Sequence, residues 1–133
     1  MPFKFSAFPL LAIVVLLYNL VAVLGHSDLS VNFLSTPVPS GAIINISRGD
    51  ALVIVGLLLL YVEILKSTRT SAASIVDHTL SMGVFIVCLV QFIVVKSAAT
   101  SHYFMIMMMT LLDVIAGYTV TIKGARRDYG PGN

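Results

Sequence analysis

Four ionisable side chains lie inside otherwise apolar stretches of the sequence: Glu63, Asp77, His78 and Asp113. A charged group within a lipid bilayer is costly, by about 2.5–3.5 kcal/mol on insertion scales. Such residues therefore face the interior of a helix bundle or mark a path for protons or ions. Asn19 and Gln91 add two uncharged polar groups to the same stretches. The chemistry that these residue types could support is the binding and release of protons or cations.

Several of these groups are expected at one end of a helix bundle. Glu63 lies three residues before Lys66, and Asp77 lies near the start of the next apolar stretch, so both are shallow on the cytoplasmic side. The predicted ionic cluster at this end contains Glu63, Asp77, His78, Lys66 and Arg69. We interpret it first as a lock that pairs helices, and second as an entry site for a proton or cation.

Asp113 is predicted to lie near the middle of the last apolar stretch, ten residues before Lys123. No Lys or Arg of the chain is expected at that depth, which favours a neutral, hydrogen-bonded carboxyl. Counted from the cytoplasmic end, Asn19 of the first stretch falls at a similar depth and is the predicted partner of Asp113. A structural buried acid is the favoured interpretation, and a proton- or cation-coupled role is the alternative.

The elements that must position these residues follow from the composition. The 133 residues are 58% hydrophobic and 11% charged, with a mean hydropathy of +0.99, whereas roughly a quarter of the residues in soluble proteins are charged. Because a spanning helix needs about 20 apolar residues, the sequence predicts spans over 7–25, 49–66, 75–95 and 103–122. The predicted fold is all-α and integral to the membrane, a single domain over 1–133 in which four helices form an antiparallel up-down bundle.

The distribution of basic residues predicts the orientation, because cytoplasmic loops are enriched in Lys and Arg. One side of the predicted bundle receives Lys4, Lys66, Arg69, Lys123, Arg126 and Arg127, and the other receives Arg48 and Lys96. Both termini are therefore expected in the cytoplasm, with Lys123, Arg126 and Arg127 as topology anchors and a bacterial inner membrane as the location. This anchoring accounts for the net charge of +2, so no nucleic-acid partner is expected.

The first apolar stretch has a second interpretation as a cleaved signal peptide, because Lys4 precedes it and small residues follow near Ala22 to Gly25. Its apolar run is longer than the 7–15 residues typical of a signal core, which favours a retained helix. Cleavage would leave three spans and place the new N-terminus outside.

The longest loop, 26–48, is predicted to lie outside. Pro37, Pro39 and Gly41 prevent one continuous helix there. Its apolar residues suggest that the loop lies on the membrane surface or docks on a partner. At its end, Ser47 is the candidate cap of the next helix, and Asp50 is an acid in the first turn.

The sequence favours no enzyme. It offers no nucleophile and base at a recognisable spacing, and the single Cys88 excludes an internal disulfide. His26 and His102 could meet at the outer boundary, but two histidines are a weak metal site, so neither a metal nor a cofactor is expected. The favoured function is an accessory or structural subunit of a larger membrane assembly. The alternative is a small oligomeric transporter or channel, coupled to protons or cations through Asp113 or Glu63. The expected partners are the lipid bilayer and either other membrane subunits or further copies of this chain.

Overall fold

The computed structural model describes residues 9–67 and 72–128, and the side chains within 9–66 and 75–119. Its helices are α1 (Leu11–Tyr18), α2 (Arg48–Ser67), α3 (Ala72–Val94) and α4 (Ser101–Asp128). A π-helix, Asn19–Leu24, continues α1, and a short 3₁₀ helix, Lys96–Ala98, connects α3 to α4. Each predicted span overlaps one helical segment, and the prediction of a mostly helical chain is confirmed.

Helix α4 is central to the packing, because it contacts both α2 and α3 extensively, whereas α2 and α3 contact each other little. Helix α1 packs against all three. The core where they meet contains Tyr18, Tyr103, Leu11, Ile106 and Val14, all of which are nearly inaccessible. Apolar runs that are longer than one helical face also leave large hydrophobic side chains on the outside of every helix.

Within the described residues, two helices are long and apolar enough to cross a membrane, over Ile75–Val94 and Ser101–Thr119. The apolar helical segment Leu11–Leu24 is shorter than these. Helix α2 has sufficient length, but it contains the charged residues Arg48, Asp50, Glu63 and Lys66. Helix α2 therefore differs from α3 and α4 in its charge, and the segment Leu11–Leu24 differs from them in its length.

The loop between the π-helix and α2 contains a β-hairpin, which is not among the elements predicted from the sequence. Strand β1 (Asn32–Pro37) pairs antiparallel with β2 (Ile43–Ser47). The turn is closed by hydrogen bonds between Val38 and Ala42 and from the Gly41 amide to the Val38 carbonyl. The predicted exclusion of a continuous helix over 26–48 is consistent with this structure.

The base of the hairpin is joined directly to α2. The Arg48 and Gly49 amides donate to the Val31 and Leu29 carbonyls. The Ser47 hydroxyl accepts from the Asp50 amide at 3.1 Å, and Asp50 Oδ2 accepts from the Ser47 amide at 3.0 Å. This reciprocal pair is a capping box, which satisfies two backbone donors at the helix start. The predicted cap at Ser47 is confirmed.

Candidate functional site

A buried acid cluster joins α2, α3 and α4, and it consists of Glu63, Asp77 and Asp113 with Lys66, His78 and Ser81 around them. The three carboxylates are 0%, 1% and 2% exposed. Lys66 Nζ lies 3.1 Å from Glu63 Oε1 and 3.5 Å from Asp77 Oδ1, so one ammonium group bridges two helices. Buried charges are tolerated when they are paired in this way.

Glu63 also binds the start of the first helix. The Leu10 amide donates to Glu63 Oε1 at 2.5 Å. The first amides of a helix have no partner within the helix, and the helix dipole favours an acid there. A single carboxylate therefore connects α1 to α2, and through Lys66 to α3.

Asp113 belongs to the same cluster. It lies beside the Ser81 hydroxyl and within electrostatic range of Glu63 and Asp77. The ring of His78, from α3, packs so closely on Gly117 that a Cβ at this position would lie 2.7 Å from the imidazole. Glycine at 117 thus lets α4 approach α3 next to the acids.

Among the described residues, the cluster has more acidic than basic side chains, since three carboxylates lie near one lysine and one histidine. Within the described part of the chain, Glu63 Oε2 and Ser81 Oγ are buried without a hydrogen bond of normal geometry. No group of three His, Cys, Asp or Glu side chains among those residues is arranged to hold a metal ion. The chemistry that the cluster can support is the uptake of a proton.

The structure brings together Glu63, Lys66, Asp77 and His78 of the predicted ionic cluster. Arg69 lies outside the described residues. So do the side chains of Lys123, Arg126 and Arg127, although their backbone belongs to α4.

The predicted partnership of Asp113 with Asn19 is wrong. Asn19 binds the Val15 carbonyl and the side chain of Gln91 instead. Asn19 lies about 8 Å from Leu24 at the end of the π-helix, and Asp113 lies about 18 Å from Ser101 at the start of α4, at 1.5 Å per residue. Residue counts from the predicted cytoplasmic ends of the spans place the two at a similar level, but the helix bounds differ from the predicted ones, because α1 begins at Leu11 and α4 continues to Asp128. Asp113 instead lies near Glu63 and Asp77 of the predicted ionic cluster.

A second polar region, the outer network, lies in the opposite half of the molecule and contains only neutral side chains. Tyr103 donates to Gln91, and Gln91 donates to Asn19. The Tyr18 hydroxyl donates to the Ser97 carbonyl at 3.0 Å and lies 2.7 Å from Thr100 Oγ1. The two tyrosine rings stack with centroids 4.6 Å apart.

Asn19 and Gln91 of this network are predicted polar groups, whereas Tyr18, Tyr103 and Thr100 are not predicted from the sequence. The available signal was the position of the two tyrosines near the ends of apolar stretches, where aromatic residues with a polar tip are common. Cys88 is fully buried beside Tyr103 and Thr110.

Comparison with known proteins adds no assignment. The chain matches no protein-family model, no curated protein and no solved structure. Inference about its function therefore comes from its own surfaces and buried groups.

The hairpin provides a third candidate site, which unlike the acid cluster and the outer network lies on the surface. Several of its apolar side chains are exposed. The strand register places Leu34, Thr36, Ile44 and Ile46 on one face and Ser35, Pro37, Ile43 and Asn45 on the other. Leu34 and Ile44 are about half exposed, and Phe33 and Ile43 more so. Ser35 bonds to Asn45 across the second face at 2.6 Å. We call the first set the apolar hairpin face.

Proposed function

We propose that this chain is a small four-span membrane protein that acts as an accessory or structural subunit of a larger membrane assembly. The observation that carries this proposal is the apolar hairpin face. A two-stranded hairpin has too little core to be stable by itself in water, and exposed apolar patches outside the bilayer mark interaction sites.

The membrane placement is supported by an inverted distribution of side chains. Every helix exposes large apolar side chains, while the carboxylates of Glu63 and Asp77 are buried. Examples of the exposed residues, from α1 to α4, are Leu16, Leu58, Ile93 and Leu112. Water would disfavour this arrangement, and lipid favours it. We propose that all four helices cross antiparallel in a bacterial inner membrane, with the hairpin outside and both termini in the cytoplasm.

The proposed partner is another membrane protein whose outer domain covers the apolar hairpin face. Purification of the tagged chain in mild detergent should recover such a protein in stoichiometric amount. A Leu34→Ser/Ile44→Ser variant should lose at least ten-fold of it. A Ser35→Ala/Asn45→Ala variant alters the opposite face of the same strands and should retain it. Recovery of this chain alone, or equal loss from both variants, would contradict the proposal.

A second candidate function is proton-coupled transport, and the acid cluster is the observation that favours it. Buried acids in excess of bases are typical of proton-binding sites in membrane helices. Asp113→Asn keeps the size and hydrogen bonding of the side chain but cannot release a proton. If Asp113 couples transport, proteoliposomes of the parent protein should show a pH-dependent flux of protons across the membrane that proteoliposomes of this variant lack. Absence of flux in the parent, or equal flux in both, would rule the second candidate out.

A further inference from the structure

An apolar groove of about 310 Å³ lies where the π-helix, the hairpin base and the first turns of α2 meet. Its lining is formed by Val21, Leu29, Phe33, Ala51, Leu52, Val55 and Arg48. Arg48 is the one charged residue among them. A groove with apolar walls and a single cation at its rim matches a ligand with a hydrocarbon chain and an anionic head.

The groove has the depth that a lipid would require. Arg48 begins α2, and Val55 lies seven residues further, about 10 Å along the helix axis. In the four-span placement proposed above, on which this inference rests, Arg48 is at the level of the lipid headgroups. The apolar walls then extend into the outer part of the hydrocarbon core.

The charges around Arg48 leave its guanidinium accessible. Among the described residues, no carboxylate lies within ion-pair distance of it. Asp50 is engaged by Ser47 and by His102, whose Nε2 lies 3.0 Å from Asp50 Oδ1. Arg48 is also exposed, so a phosphate can approach it from the lipid side.

Asp28 is the acid that would oppose an anion here, because it lies within electrostatic range of Arg48. Its Oδ1 accepts hydrogen bonds from the Ser30 hydroxyl at 2.6 Å and the Ser30 amide at 2.9 Å. These bonds hold the pKa of Asp28 below its ordinary value, with a smaller effect from Arg48. Asp28 is therefore anionic at neutral pH and should weaken the binding of an anion without preventing it.

We propose that this groove binds one acyl chain of an anionic phospholipid, with the lipid phosphate on the Arg48 guanidinium. A net anionic headgroup is preferred over a zwitterionic one because the ammonium of a choline headgroup would add a second cation near Arg48. The apolar walls contribute affinity for either lipid, and Arg48 contributes the preference between them.

The test compares dioleoylphosphatidylglycerol with dioleoylphosphatidylcholine, each titrated into the detergent-purified full chain and followed by native mass spectrometry. The parent protein should prefer the anionic lipid. Arg48→Gln should reduce this preference about five-fold, the equivalent of one basic residue at a membrane surface. Asp28→Asn, which can still accept from Ser30, should increase the preference about two-fold.

Lys96→Gln is the matched control, because Lys96 is the other predicted outer basic residue and does not line the groove. Val55→Phe should fill the groove and weaken the binding of both lipids equally. Equal binding of the two lipids to the parent, or equal losses in Arg48→Gln and Lys96→Gln, would overturn the site. If the parent still copurifies with a stoichiometric partner in that case, the lipid site alone has failed and the proposed subunit function is unaffected.

Discussion

The helices and the hairpin expose apolar side chains to a similar degree in different surroundings. Leu57 of α2 and Leu80 of α3 are 52% and 47% exposed, and Leu34 and Ile44 of the apolar hairpin face are 48% and 47% exposed. In the proposed placement, lipid covers the first pair, whereas the second pair projects outside the hydrocarbon core. The bundle therefore needs no protein partner to cover it, and the hairpin does.

The polar groups show the same contrast. The bundle buries three carboxylates and pairs two of them with Lys66, whose side chain is 11% exposed, and these groups connect its helices. The hairpin keeps Ser35 and Asn45 on its surface, where each is readily hydrated. We infer that stability depends mainly on the buried groups of the bundle and that recognition depends on the hairpin. Substitutions in the two regions should therefore change different measurements.

The largest effect on stability is expected from Lys66→Met, which removes the cation between Glu63 and Asp77. Breaking a buried ion pair by removing one partner costs about 3–5 kcal/mol, because the remaining charge is uncompensated. The free energy of unfolding, measured on the detergent-solubilised protein, should decrease by this amount. Lys96→Met removes an exposed lysine and serves as the control. Equal stability of the two variants would mean that the acid cluster does not hold the helices together.

A smaller loss of stability, measured as the free energy of unfolding in detergent, is expected from Gly49→Ala at the junction between the hairpin and the bundle. A Cβ at this position would lie 2.4 Å from the His102 ring, and displacing the ring would also disturb its contact with Asp50. Overpacking of this kind costs about 2 kcal/mol.

Gly83→Ala is the control for Gly49→Ala, since a Cβ there meets nothing within 4 Å. Alanine in a helix interior is favoured over glycine by roughly 0.5–1 kcal/mol, so this control should be unchanged or slightly stabilised. Loss of stability in Gly83→Ala that equals the loss in Gly49→Ala would argue against close packing at the junction.

Tyr103→Phe should cost about 1–2 kcal/mol, because it leaves the Gln91 carbonyl in the outer network without its donor. The unfolding free energy in detergent measures the loss. Tyr61→Phe removes a hydroxyl from a tyrosine that is 65% exposed and should have no comparable effect. A stable Tyr103→Phe variant would show that the outer network adds little to the bundle.

The smallest change in stability is expected from Ile44→Ser on the apolar hairpin face, within about 0.5 kcal/mol as for most surface substitutions. Recovery of the proposed partner should nevertheless decrease. If Ile44→Ser instead destabilises the isolated chain as much as Tyr103→Phe does, the hairpin is part of the folding core and the contrast between the two regions fails.

Much of the helical architecture could be predicted from the sequence, because long apolar runs separated by polar loops leave few alternatives. Glu63, Lys66 and Asp77 could also be placed together, since their positions relative to a short loop determine their depth. The hairpin could not be predicted in this way. Its strands lack a regular alternation of apolar and polar residues, and the pairing depends on contacts between residues that are distant in sequence.

The partner of Asp113 could not be predicted because depth along a helix depends on where the helix begins and how it tilts. Asn19 and Asp113 are at similar distances from the predicted cytoplasmic ends of their spans, but helix packing places them at different levels. Ser81, which lies beside Asp113, gave only a weak signal as a small polar residue on the same face of α3 as Asp77.

The most direct test of the account is photo-crosslinking in native membranes, with a photoreactive amino acid placed either at Ile44 or at Asn45. The account predicts that the probe at position 44 forms one discrete adduct with another membrane protein and that the probe at position 45 does not. Adducts with lipid, adducts with a second copy of this chain, or equal adducts from both positions would contradict the proposal that the apolar hairpin face binds a partner subunit.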